Sequence, residues 1–344
     1  MLGSQFMPRV IIRGTGIAGS CCAHLLTAAR LDLHVEELKR PRVPAVMLTD
    51  ATQKLLCDVF QSADLFAGLT PIRKRVVLWG HDSLAVTLPH FAVVVSEQEL
   101  LRRLEPEWLR ETREATGVHL QPMSEWAIFA SAPLSNFSIE HQFGSRPASA
   151  SAVQLRPGCD ASACWIESLD NGWLFLVPSG EGTAWLLSVG ASAESHLSTS
   201  RLICDQIAGV QPSMGGFPAH PRVAWPLCAT GWLACGTAAL GFDPLCGDGV
   251  GNAVREAILA SAVIRAALAG ADVDSLTAHY QTRLLAGFRR HLALCLEFYQ
   301  SGRHGEWWDT QIADLHHGLR WCDQHLAETR FHYRLNGFEL EPVR

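Results

Sequence analysis

The chain has 344 residues, of which 48% are apolar and 18% charged, a balance that excludes a disordered chain and suffices for two domains. The formal net charge of −6 and the scattering of the 28 basic residues, only three of them lysines, argue against a nucleic-acid-binding surface. No apolar run approaches the roughly 20 residues that a membrane span needs.

The eleven cysteines form no CxxC pair, and several lie in apolar periodic segments. We therefore expect buried, reduced thiols and a cytoplasmic protein. The apolar run Val10–Ile12 is too short for a signal peptide, so we expect no secretion signal. Residues Met1–Phe6, which precede a second methionine, are left out of the fold prediction.

A strand, a glycine-rich turn and a helix open the predicted fold. Val10–Ile12 predicts a buried strand, Ser20–Ala29 a helix and Leu31–Val35 a second strand. The sequence Gly14-Thr-Gly-Ile-Ala-Gly19 joins the first strand to the helix and matches GxGxxG. This order of elements predicts a dinucleotide-binding unit.

Each residue of this unit has a physical role. Gly14 permits the tight turn, Gly16 lets the backbone approach a pyrophosphate, and Gly19 lets the helix pack on the strand. Glu37 follows about 20 residues later, where an acid accepts the ribose hydroxyls of FAD or NAD rather than NADP. Arg42, in a basic loop with prolines, is a further cofactor candidate, with a solvated arginine as the alternative.

The next part of the chain alternates helices and strands. The predicted elements are a helix at Ala51–Phe60, strands at Arg73–Trp79 and Ala85–Val95, a helix beginning near Ser96 and continuing through Leu100–Trp108, and a strand at Trp126–Ala130. Pro89 makes its strand an edge strand or splits it. Pro133–Arg156 is polar and rich in small residues and predicts a loop with short strands.

Cys159–Gly190 predicts an antiparallel sheet. Its strands are Ala163–Ser168, Gly172–Pro178 and Thr183–Val189, and Asp170-Asn171-Gly172 is a strong hairpin turn. Its aromatic residues are either core or a wall beside a cofactor. The elements predicted after it are a helix at Ser198–Ile207, an extended segment at Pro218–Pro226, helices at Ala278–Ser301 and Trp308–Leu326, and an extended end at Phe331–Arg344.

A second strand–glycine–helix unit spans Gly231–Gly270. An apolar run leads into the loop Gly236–Asn252, and a helix is predicted at Ala253–Leu268. Pro244 fixes the backbone, and the glycines that follow let main chain lie against a flat ring. A helix N-terminus at this place stabilises negative charge on the pyrimidine side of a reduced flavin. The alternative is a loop shaped only for packing.

With both units in place, the chain resembles the class A flavoprotein monooxygenases, the p-hydroxybenzoate hydroxylase-like group related to flavin halogenases and geranylgeranyl reductases. The matching residues are Gly14–Gly19 with Glu37, and Asp243–Asn252. The resemblance covers roughly residues 8–270. It implies FAD as cofactor, with Gly14, Gly16 and Gly19 at the pyrophosphate. The candidates that it implies on the flavin side are Gly236, Thr237, Asp243, Pro244, Gly247, Gly249, Gly251 and Asn252.

The chain also departs from this family. Where the family has Gly-Asp ahead of the loop, this chain has Gly236-Thr237, so a hydroxyl replaces the carboxylate at the ribityl chain or the contact is lost. Arg102 or Arg103 stands for the family's helix arginine, and Gly144-Ser-Arg146 for its middle Asp-Gly motif. Halogenation is disfavoured, because the tryptophan–x–tryptophan signature reads Trp173-Leu-Phe175 and the few lysines offer no catalytic candidate.

We therefore predict an α/β chain with a Rossmann-like FAD-binding domain, an inserted antiparallel-sheet substrate domain and C-terminal helices. The FAD-binding domain is assigned to residues 7–60, 96–158 and 227–270, the substrate domain to 61–95 and 159–226, and the C-terminal helical region to 271–344.

The favoured function is FAD-dependent monooxygenation, hydroxylating an aromatic or electron-rich substrate in the biosynthesis of a protein-derived quinone cofactor or a secondary metabolite. The alternatives are an FAD-dependent oxidase or reductase of a small metabolite, and a non-redox flavin-binding protein. We expect a small-molecule substrate, keep a peptide or protein substrate as an option, and expect no nucleic acid. Whether NADH or NADPH supplies electrons stays open.

Histidines are the remaining candidates for chemistry. His81, His90 and His220 lie in the predicted substrate region and are weak candidates for a catalytic base, with structural roles as the alternative. The histidines of the two C-terminal helices show no acid or cysteine partner in a metal-binding spacing, so we expect no metal site. They are His279, His291, His316, His317 and His325.

Overall fold

The structure is a computed structural model that describes residues 8–27, 29, 31–81, 84–104, 126–134, 137–246, 248–327 and 331–343. Within them the helices are α1 (Ile17–Thr27), α2 (Asp50–Phe60), α3 (Glu97–Leu104), α4 (Ala193–Thr199), α5 (Gly249–Leu268), α6 (Val273–Gln300) and α7 (Glu306–Leu326). The helix prediction beyond Leu104 falls outside the described residues.

The strands fall into four sheets. They are β1 (Arg9–Arg13), β2 (Asp32–Glu36), β3 (Val46–Thr49), β4 (Thr70–Leu78), β5 (Val86–Val95), β6 (Trp126–Phe129), β7 (Ile139–Gln142), β8 (Pro147–Leu155), β9 (Ala163–Leu169), β10 (Gly172–Gly180), β11 (Thr183–Val189), β12 (Ile207–Val210), β13 (Gly216–Pro218), β14 (Arg222–Trp225), β15 (Cys228–Ala229), β16 (Trp232–Ala234), β17 (Leu240–Gly241), β18 (Tyr333–Asn336) and β19 (Glu339–Pro342).

The first sheet carries both glycine-rich units. Its order is β15-β16-β6-β1-β2, with β1 parallel to β2 and β6, and β16 parallel to β6. Val10 and Ile12 of β1 are fully buried, as expected for short apolar strands of a parallel sheet. The chain leaves β1 into α1 and leaves β16 into the loop before α5. The predicted Rossmann-like unit and the α/β fold class are confirmed.

The second sheet has nine strands and is mostly antiparallel. Its order is β12-β8-β11-β10-β9-β4-β5-β3, and β13 also pairs with β8. The predicted hairpins β9–β10 and β10–β11 are confirmed by the pairs Trp173–Ser168 and Trp173–Val189. Strand β4 joins this block through a parallel pairing with β9. The sheet therefore connects segments from both ends of the predicted substrate domain.

The prediction of a loop with short strands over Pro133–Arg156 understated the strand in its second half. Strand β8, with the sequence PASASAVQL, pairs antiparallel with β11 along its whole length and with β12 and β13 on its other side. Its alanines and serines do alternate, but these small residues bury little apolar area and alanine has low strand propensity, so the pattern is a weak strand signal.

The helix predicted at Ser198–Ile207 was also wrong. Helix α4 ends at Thr199, and the chain turns through a short 3-10 helix, Cys204–Gln206, into β12. The buried Glu167 carboxylate accepts hydrogen bonds from the backbone N–H groups of Arg201 and Ile203, at 2.6 and 3.0 Å. A side chain from β9 thus satisfies the donors that a longer helix would have paired.

The prediction that Pro89 makes its strand an edge strand or splits it was wrong, because β5 runs unbroken from Val86 to Val95 and lies between β4 and β3 in the sheet. Strand β3 pairs with β5 only from Ala92 to Val95, so the stretch around Pro89 has a neighbour on one side, β4. The register of β4 against β5 shifts between Ile72 and Lys74, directly beside the proline. The missing N–H of Pro89 therefore costs no ladder hydrogen bond on an inner strand.

The C-terminal helices hold the two sheets together. The Tyr280 hydroxyl on α6 donates to the Ala234 carbonyl of β16 at 2.6 Å, and the Trp308 indole N–H on α7 donates to the Leu169 carbonyl of β9 at 2.9 Å. Both side chains are fully buried. Strands β18 and β19 form a terminal hairpin. Among the described helices, none has both the length and the apolarity that crossing a membrane requires.

The division into domains stays a prediction. Strand β8, which the prediction assigned to the cofactor-binding part, shares a sheet with β9, β10 and β11 of the predicted substrate part. Strand β3, also assigned to the cofactor-binding part, pairs with β5. The two parts consequently share hydrogen-bonded strands rather than a single connecting loop.

Candidate functional site

The first glycine-rich turn places the N-terminus of α1 directly on the end of β1. Gly14 has a φ of +110°, and its N–H donates to the Glu36 carbonyl at 2.8 Å. A Cβ on Gly19 would lie 1.9 Å from the Gly14 carbonyl oxygen, so only glycine lets the helix approach this closely. The Thr15 hydroxyl is buried and has no partner among the described residues. The turn therefore presents donors at a helix N-terminus.

The second glycine-rich segment touches the first. Gly236 has a φ of +56°, and a Cβ there would lie 2.8 Å from the Cβ of Ala18 on α1. Helix α5 begins at Gly249, four residues before the predicted start. The Asp248 carboxylate ahead of it accepts from the Thr52 hydroxyl at 2.6 Å and from Arg255 at 2.7 Å. The two units, far apart in sequence, are thus neighbours.

One cavity of about 440 Å³ lies between them, within the usual size of small-molecule sites. It is bordered by the first residues of α1 and of α5, by the loop after β16, and by strands β13, β14 and β17. Its lining includes Gly16, Ile17, Ala18, Arg40, Glu97, Phe217, Pro218, His220, Arg222, Gly236, Thr237, Leu240, Gly241, Phe242, Gly249, Ala253 and Glu256.

A buried ion pair forms the end of the cavity next to the first turn. Glu97 is 2% exposed, and its carboxylate accepts hydrogen bonds from both terminal nitrogens of Arg40 and from the Val43 N–H, the latter at 2.8 Å. The Arg40 Nη2 atom lies 3.1 Å from where a Cβ of Gly16 would be. The guanidinium is therefore held over the turn, and Gly16 leaves room for it.

The middle of the cavity contains a buried carboxyl group. Glu256, 6% exposed on α5, accepts from the Gly236 N–H at 2.6 Å. Burial raises the pKa of its carboxyl to about 8, and the hydrogen bond from Gly236 opposes this only in part. Near neutral pH the group is largely a neutral acid that can donate a hydrogen bond. Thr237 lines the same region.

The far end of the cavity is formed by β14 and β17. Arg222 donates to the Thr237 carbonyl at 2.6 Å and to Glu140 at 2.9 Å. A Cβ on Gly241 would lie 2.6 Å from the Arg222 Cγ, so the arginine passes where only glycine fits. The Phe242 ring lines the wall beyond them. A fixed cation and an aromatic ring thus close this end.

The three candidate histidines lie in different places. Only His220 lines the cavity, and both of its ring nitrogens are buried without a partner among the described residues. Burial, and then the nearby Arg146 guanidinium, lower its pKa, so the ring is neutral near pH 7. His90 lies 3.3 Å from Arg75 on β4, and His81 is exposed beside His304. The structure therefore singles out His220.

The predicted cofactor residues divide in the same way. Gly16, Gly236, Thr237 and Gly249 line the cavity, and Gly14 and Gly19 shape the turn beside it. Glu37 and Arg42 are off its wall: Arg42 lies 3.8 Å from Glu37 and 3.9 Å from Glu97. Gly247 falls outside the described residues.

Asp243 lies inside the protein instead of on the cavity wall. Its carboxylate, 1% exposed, accepts from Arg146 and from the Tyr299 hydroxyl, the latter at 2.9 Å. Of the neighbouring candidates, Pro244 begins a short 3-10 helix, Gly251 packs against the Asp248 side chain, and Asn252 accepts from Arg255 at 3.3 Å. None of these four side chains borders the cavity.

Sequence reasoning missed Arg40, Glu97 and Glu256. The family's helix arginine was sought at Arg102 or Arg103, but both donate to Glu99 on α3 at 2.7 to 2.8 Å, away from the cavity. The arginine at the turn comes instead from the basic loop after β2. The sequence shows that this loop is basic and that α3 begins with acidic residues. It does not show that Arg40 and Glu97, 57 residues apart, form an ion pair.

A further grouping corrects one premise of the prediction for the C-terminal histidines, because His291 does have cysteine neighbours. His291 and Cys295 are four residues apart on α6, and Cys246, in the loop Gly236–Asn252, lies beside them. The Cys295 sulfur lies 3.3 Å from both the Cys246 sulfur and the His291 Nε2 atom. Histidine and cysteine one helical turn apart is a recognised ligand spacing, so the sequence did contain this signal.

The fold is shared with flavin-dependent enzymes of known structure. The flavin-dependent halogenase CmlS is 18% identical, with a TM-score of 0.76 over 94% of this chain and 72% of that one. QhpG, a peptidyl tryptophan dihydroxylase essential for tryptophylquinone cofactor biogenesis, is 17% identical, with a TM-score of 0.68 over 98% of this chain and 86% of that one.

PqsL of P. aeruginosa, solved in complex with 2-aminobenzoylacetate, is 16% identical, with a TM-score of 0.66 over 91% of this chain and 100% of that one. At these identities the likeness establishes the fold. No protein-family model and no curated protein matches the sequence.

Proposed function

We propose that this chain binds one FAD between its two glycine-rich units and acts as a monooxygenase on an aromatic or electron-rich substrate. The observation that supports this is the single cavity bordered by the N-terminal ends of both α1 and α5. Two helix N-termini beside one cavity favour an anionic, extended ligand with a ring that takes up negative charge. The structural neighbours include a flavin-dependent halogenase and a peptidyl tryptophan dihydroxylase.

The residues of the first unit fit the phosphate end of such a cofactor. The backbone at Gly16 and Ile17 and the unpartnered Thr15 hydroxyl supply donors at the start of α1. Arg40, oriented by Glu97, supplies a cation beside the same turn. Glu37, near Arg42, is in our proposal the acceptor for the adenosine ribose.

The middle of the cavity would hold the ribityl chain. Thr237 offers a hydroxyl where the related enzymes carry a carboxylate, and Glu256 offers a carboxyl group from the opposite wall. Because the Glu256 pKa is raised to about 8, this group donates as well as accepts hydrogen bonds near neutral pH. The lost aspartate is thereby replaced by two weaker polar groups.

The bound flavin would supply the redox chemistry that activates dioxygen. The protein contributes position, exclusion of water and proton transfer. Phe242, Phe217 and Pro218 form apolar walls at the far end of the cavity. His220, neutral and with unpartnered nitrogens, is in our proposal the group that takes the proton of a substrate hydroxyl or ring N–H.

The substrate would enter over β13. Phe217 and Pro218 of this strand face the cavity, whereas Gly216 borders a separate groove of about 1000 Å³ on its other side. The groove is lined mainly by small residues of β8 and of the turn before α4. A short strand between cavity and groove suits a substrate larger than one aromatic ring, so a peptide-borne aromatic side chain remains an option beside a small molecule.

The test is isotopic. The purified protein is loaded with FAD, reduced with NADH or NADPH without oxygen, and mixed with oxygen-18 and a panel of phenols, indoles and tryptophan-containing peptides. Incorporation of one oxygen-18 atom into a product supports the proposal. Release of hydrogen peroxide equal to the flavin reduced, with no labelled product from any compound, would favour the oxidase alternative.

Halogenation is less well supported than hydroxylation. The three lysines lie away from the cavity: Lys74 binds Asp160 at 2.6 Å, and Lys39 and Lys54 are exposed. Trp173, at the position of the halogenase signature, is fully buried and donates to the Tyr299 hydroxyl at 3.2 Å. Chloride or bromide in the same assay, with mass spectrometry for halogenated product, separates the two reactions.

A further inference from the structure

Two thiols lie in contact where the loop Gly236–Asn252 meets the C-terminal helices. Cys246 ends the short 3-10 helix that leads to α5, and Cys295 lies near the C-terminal end of α6. Their sulfur atoms are 3.3 Å apart. Cys246 is half-buried, whereas Cys295 is fully buried. Cys246 is therefore the more accessible residue of the two, and the buried Cys295 sulfur lies in contact with its sulfur.

The contacts favour a redox pair over a metal site. The His291 Nε2 atom already accepts the Asp243 N–H at 2.9 Å, so its lone pair is engaged. The buried Arg146 guanidinium binds the same Asp243, which places a positive charge close to any cation held there. Two thiolates on tetrahedral zinc lie about 3.7 Å apart given Zn–S bonds of about 2.3 Å, farther than the sulfurs here.

We propose that Cys246 and Cys295 are a peroxide-sensitive thiol pair, with Cys246 the sulfur that is oxidised and Cys295 the one that resolves it. The two sulfurs are brought together by the fold from positions 49 residues apart in sequence. The pair lies beside the loop that leads into α5, whose first residue borders the cavity. It is a modification site adjoining the cofactor cavity.

The chemistry balances with hydrogen peroxide as the oxidant. The ionised Cys246 sulfur attacks one peroxide oxygen, and the O–O bond breaks. Cys246 becomes a sulfenic acid, and the released hydroxide takes up the proton that the thiol lost and leaves as water. The Cys295 sulfur then attacks the Cys246 sulfur, forming S–S and breaking S–O. The Cys295 proton leaves with the hydroxyl group as a second water.

The order of events follows from burial. Burial and the contact with Cys246 raise the pKa of the Cys295 thiol, so Cys295 keeps its proton and donates it toward the neighbouring sulfur. Peroxide thus meets Cys246 first. The need for such a pair rests on the proposed function, because an enzyme that reduces dioxygen at a flavin is itself a source of peroxide. The thiol chemistry itself requires no flavin.

The test uses the full-length protein treated with hydrogen peroxide, quenched with an alkylating agent and digested. We expect peptides containing Cys246 and Cys295 joined by a disulfide that dithiothreitol reverses, and two fewer free thiols among the eleven. The Cys295→Ser variant should instead accumulate sulfinic acid on Cys246, which dithiothreitol does not reverse. Because the oxidant is added, this result is independent of whether the chain oxygenates any substrate.

Two internal controls are available. Cys159 is half-buried like Cys246, but its sulfur donates to Gln206 at 3.4 Å instead of lying against a second thiol, so Cys159→Ser should leave the disulfide unchanged. Cys22 and Cys235 are both fully buried and should stay reduced. Irreversible oxidation of Cys246 in the unaltered protein, with no linked peptide, would overturn the proposal. So would one tightly bound zinc per chain that Cys246→Ser removes.

Discussion

The Arg146 guanidinium and the Asp243 carboxylate form an ion pair in which both side chains are 0% exposed. The same carboxylate accepts from the Tyr299 hydroxyl on α6, and the Arg146 Nε atom donates to Gln311 on α7 at 2.6 Å. The Asp243 residue that sequence comparison assigned to the flavin ring thus anchors its loop to β8 and to both C-terminal helices. Its influence on a cofactor would be indirect.

Asp243→Ala should lower the free energy of unfolding by about 3–5 kcal/mol, because it leaves the Arg146 charge buried without a partner. Urea unfolding of the protein measures this. The variant Arg146→Met combined with Asp243→Leu should recover part of the loss, since an apolar pair replaces the ionic one. Glu341→Gln, which breaks the exposed pair with Arg334, is the matched control and should leave the midpoint unchanged. If Asp243→Ala weakened FAD binding but left the stability unchanged, Asp243 would contact the flavin and would not act through the buried ion pair.

Arg40→Gln should weaken FAD binding about 10-fold, because a charge-assisted contact at the phosphate end is removed. Arg42→Gln should change the dissociation constant much less, because Arg42 is off the cavity wall. Fluorescence titration with FAD compares the two at low and high salt, and the salt dependence should fall only in the Arg40 variant. Equal effects of both changes would contradict the placement of the phosphate end.

Glu256 makes stability depend on pH in a defined direction. Its folded-state pKa of about 8 lies above the ordinary 4.5, so the folded chain retains a proton that the unfolded chain releases. The free energy of unfolding therefore falls as pH rises through this window, by on the order of 5 kcal/mol in total. Glu256→Gln should remove this slope in FAD-free protein, measured by urea unfolding at about pH 5.5 and about pH 8.5. Parallel pH profiles of variant and parent would refute it.

Gly241→Ala should displace Arg222, because the added Cβ would lie 2.6 Å from the arginine Cγ. We expect weaker binding of substrate or flavin at the far end of the cavity and a modest loss of thermal stability. Gly209→Ala, where a Cβ meets nothing within 4 Å, is the control strand glycine. A crystal structure of the variant with Arg222 unmoved would contradict this reading of the contact.

Local sequence signals carried the prediction of the parallel unit. The β-branched run Val10–Ile12 and the glycines at Gly14 and Gly19 act over a few residues, so their roles are visible in the sequence. The full length of strand β8 was missed because its alternating alanines and serines are small and give a weak strand signal. Its strand state depends on β11, whose partner residues lie about 30 to 40 positions further along the chain.

The site itself was predicted only in part for a similar reason. Arg40 meets Glu97 across 57 residues, and Glu256 meets Gly236 across 20, so each pairing depends on the assembled fold. Asp243 was assigned to the flavin ring by resemblance of its motif alone. In this chain Arg146 occupies the position behind the loop and draws the carboxylate inward.

A titration of FAD-free protein with FAD, followed by flavin absorbance and fluorescence, tests most directly whether FAD binds between the two glycine-rich units. We expect saturation at one FAD per chain. We also expect Gly16→Val in the first unit and Ala253→Phe in the second each to weaken binding by at least about 10-fold. Ala208→Phe, exposed on β12, should bind like the parent. Absence of saturable FAD binding, or unchanged affinity in either cavity variant while circular dichroism remains native, would contradict FAD binding between the two units.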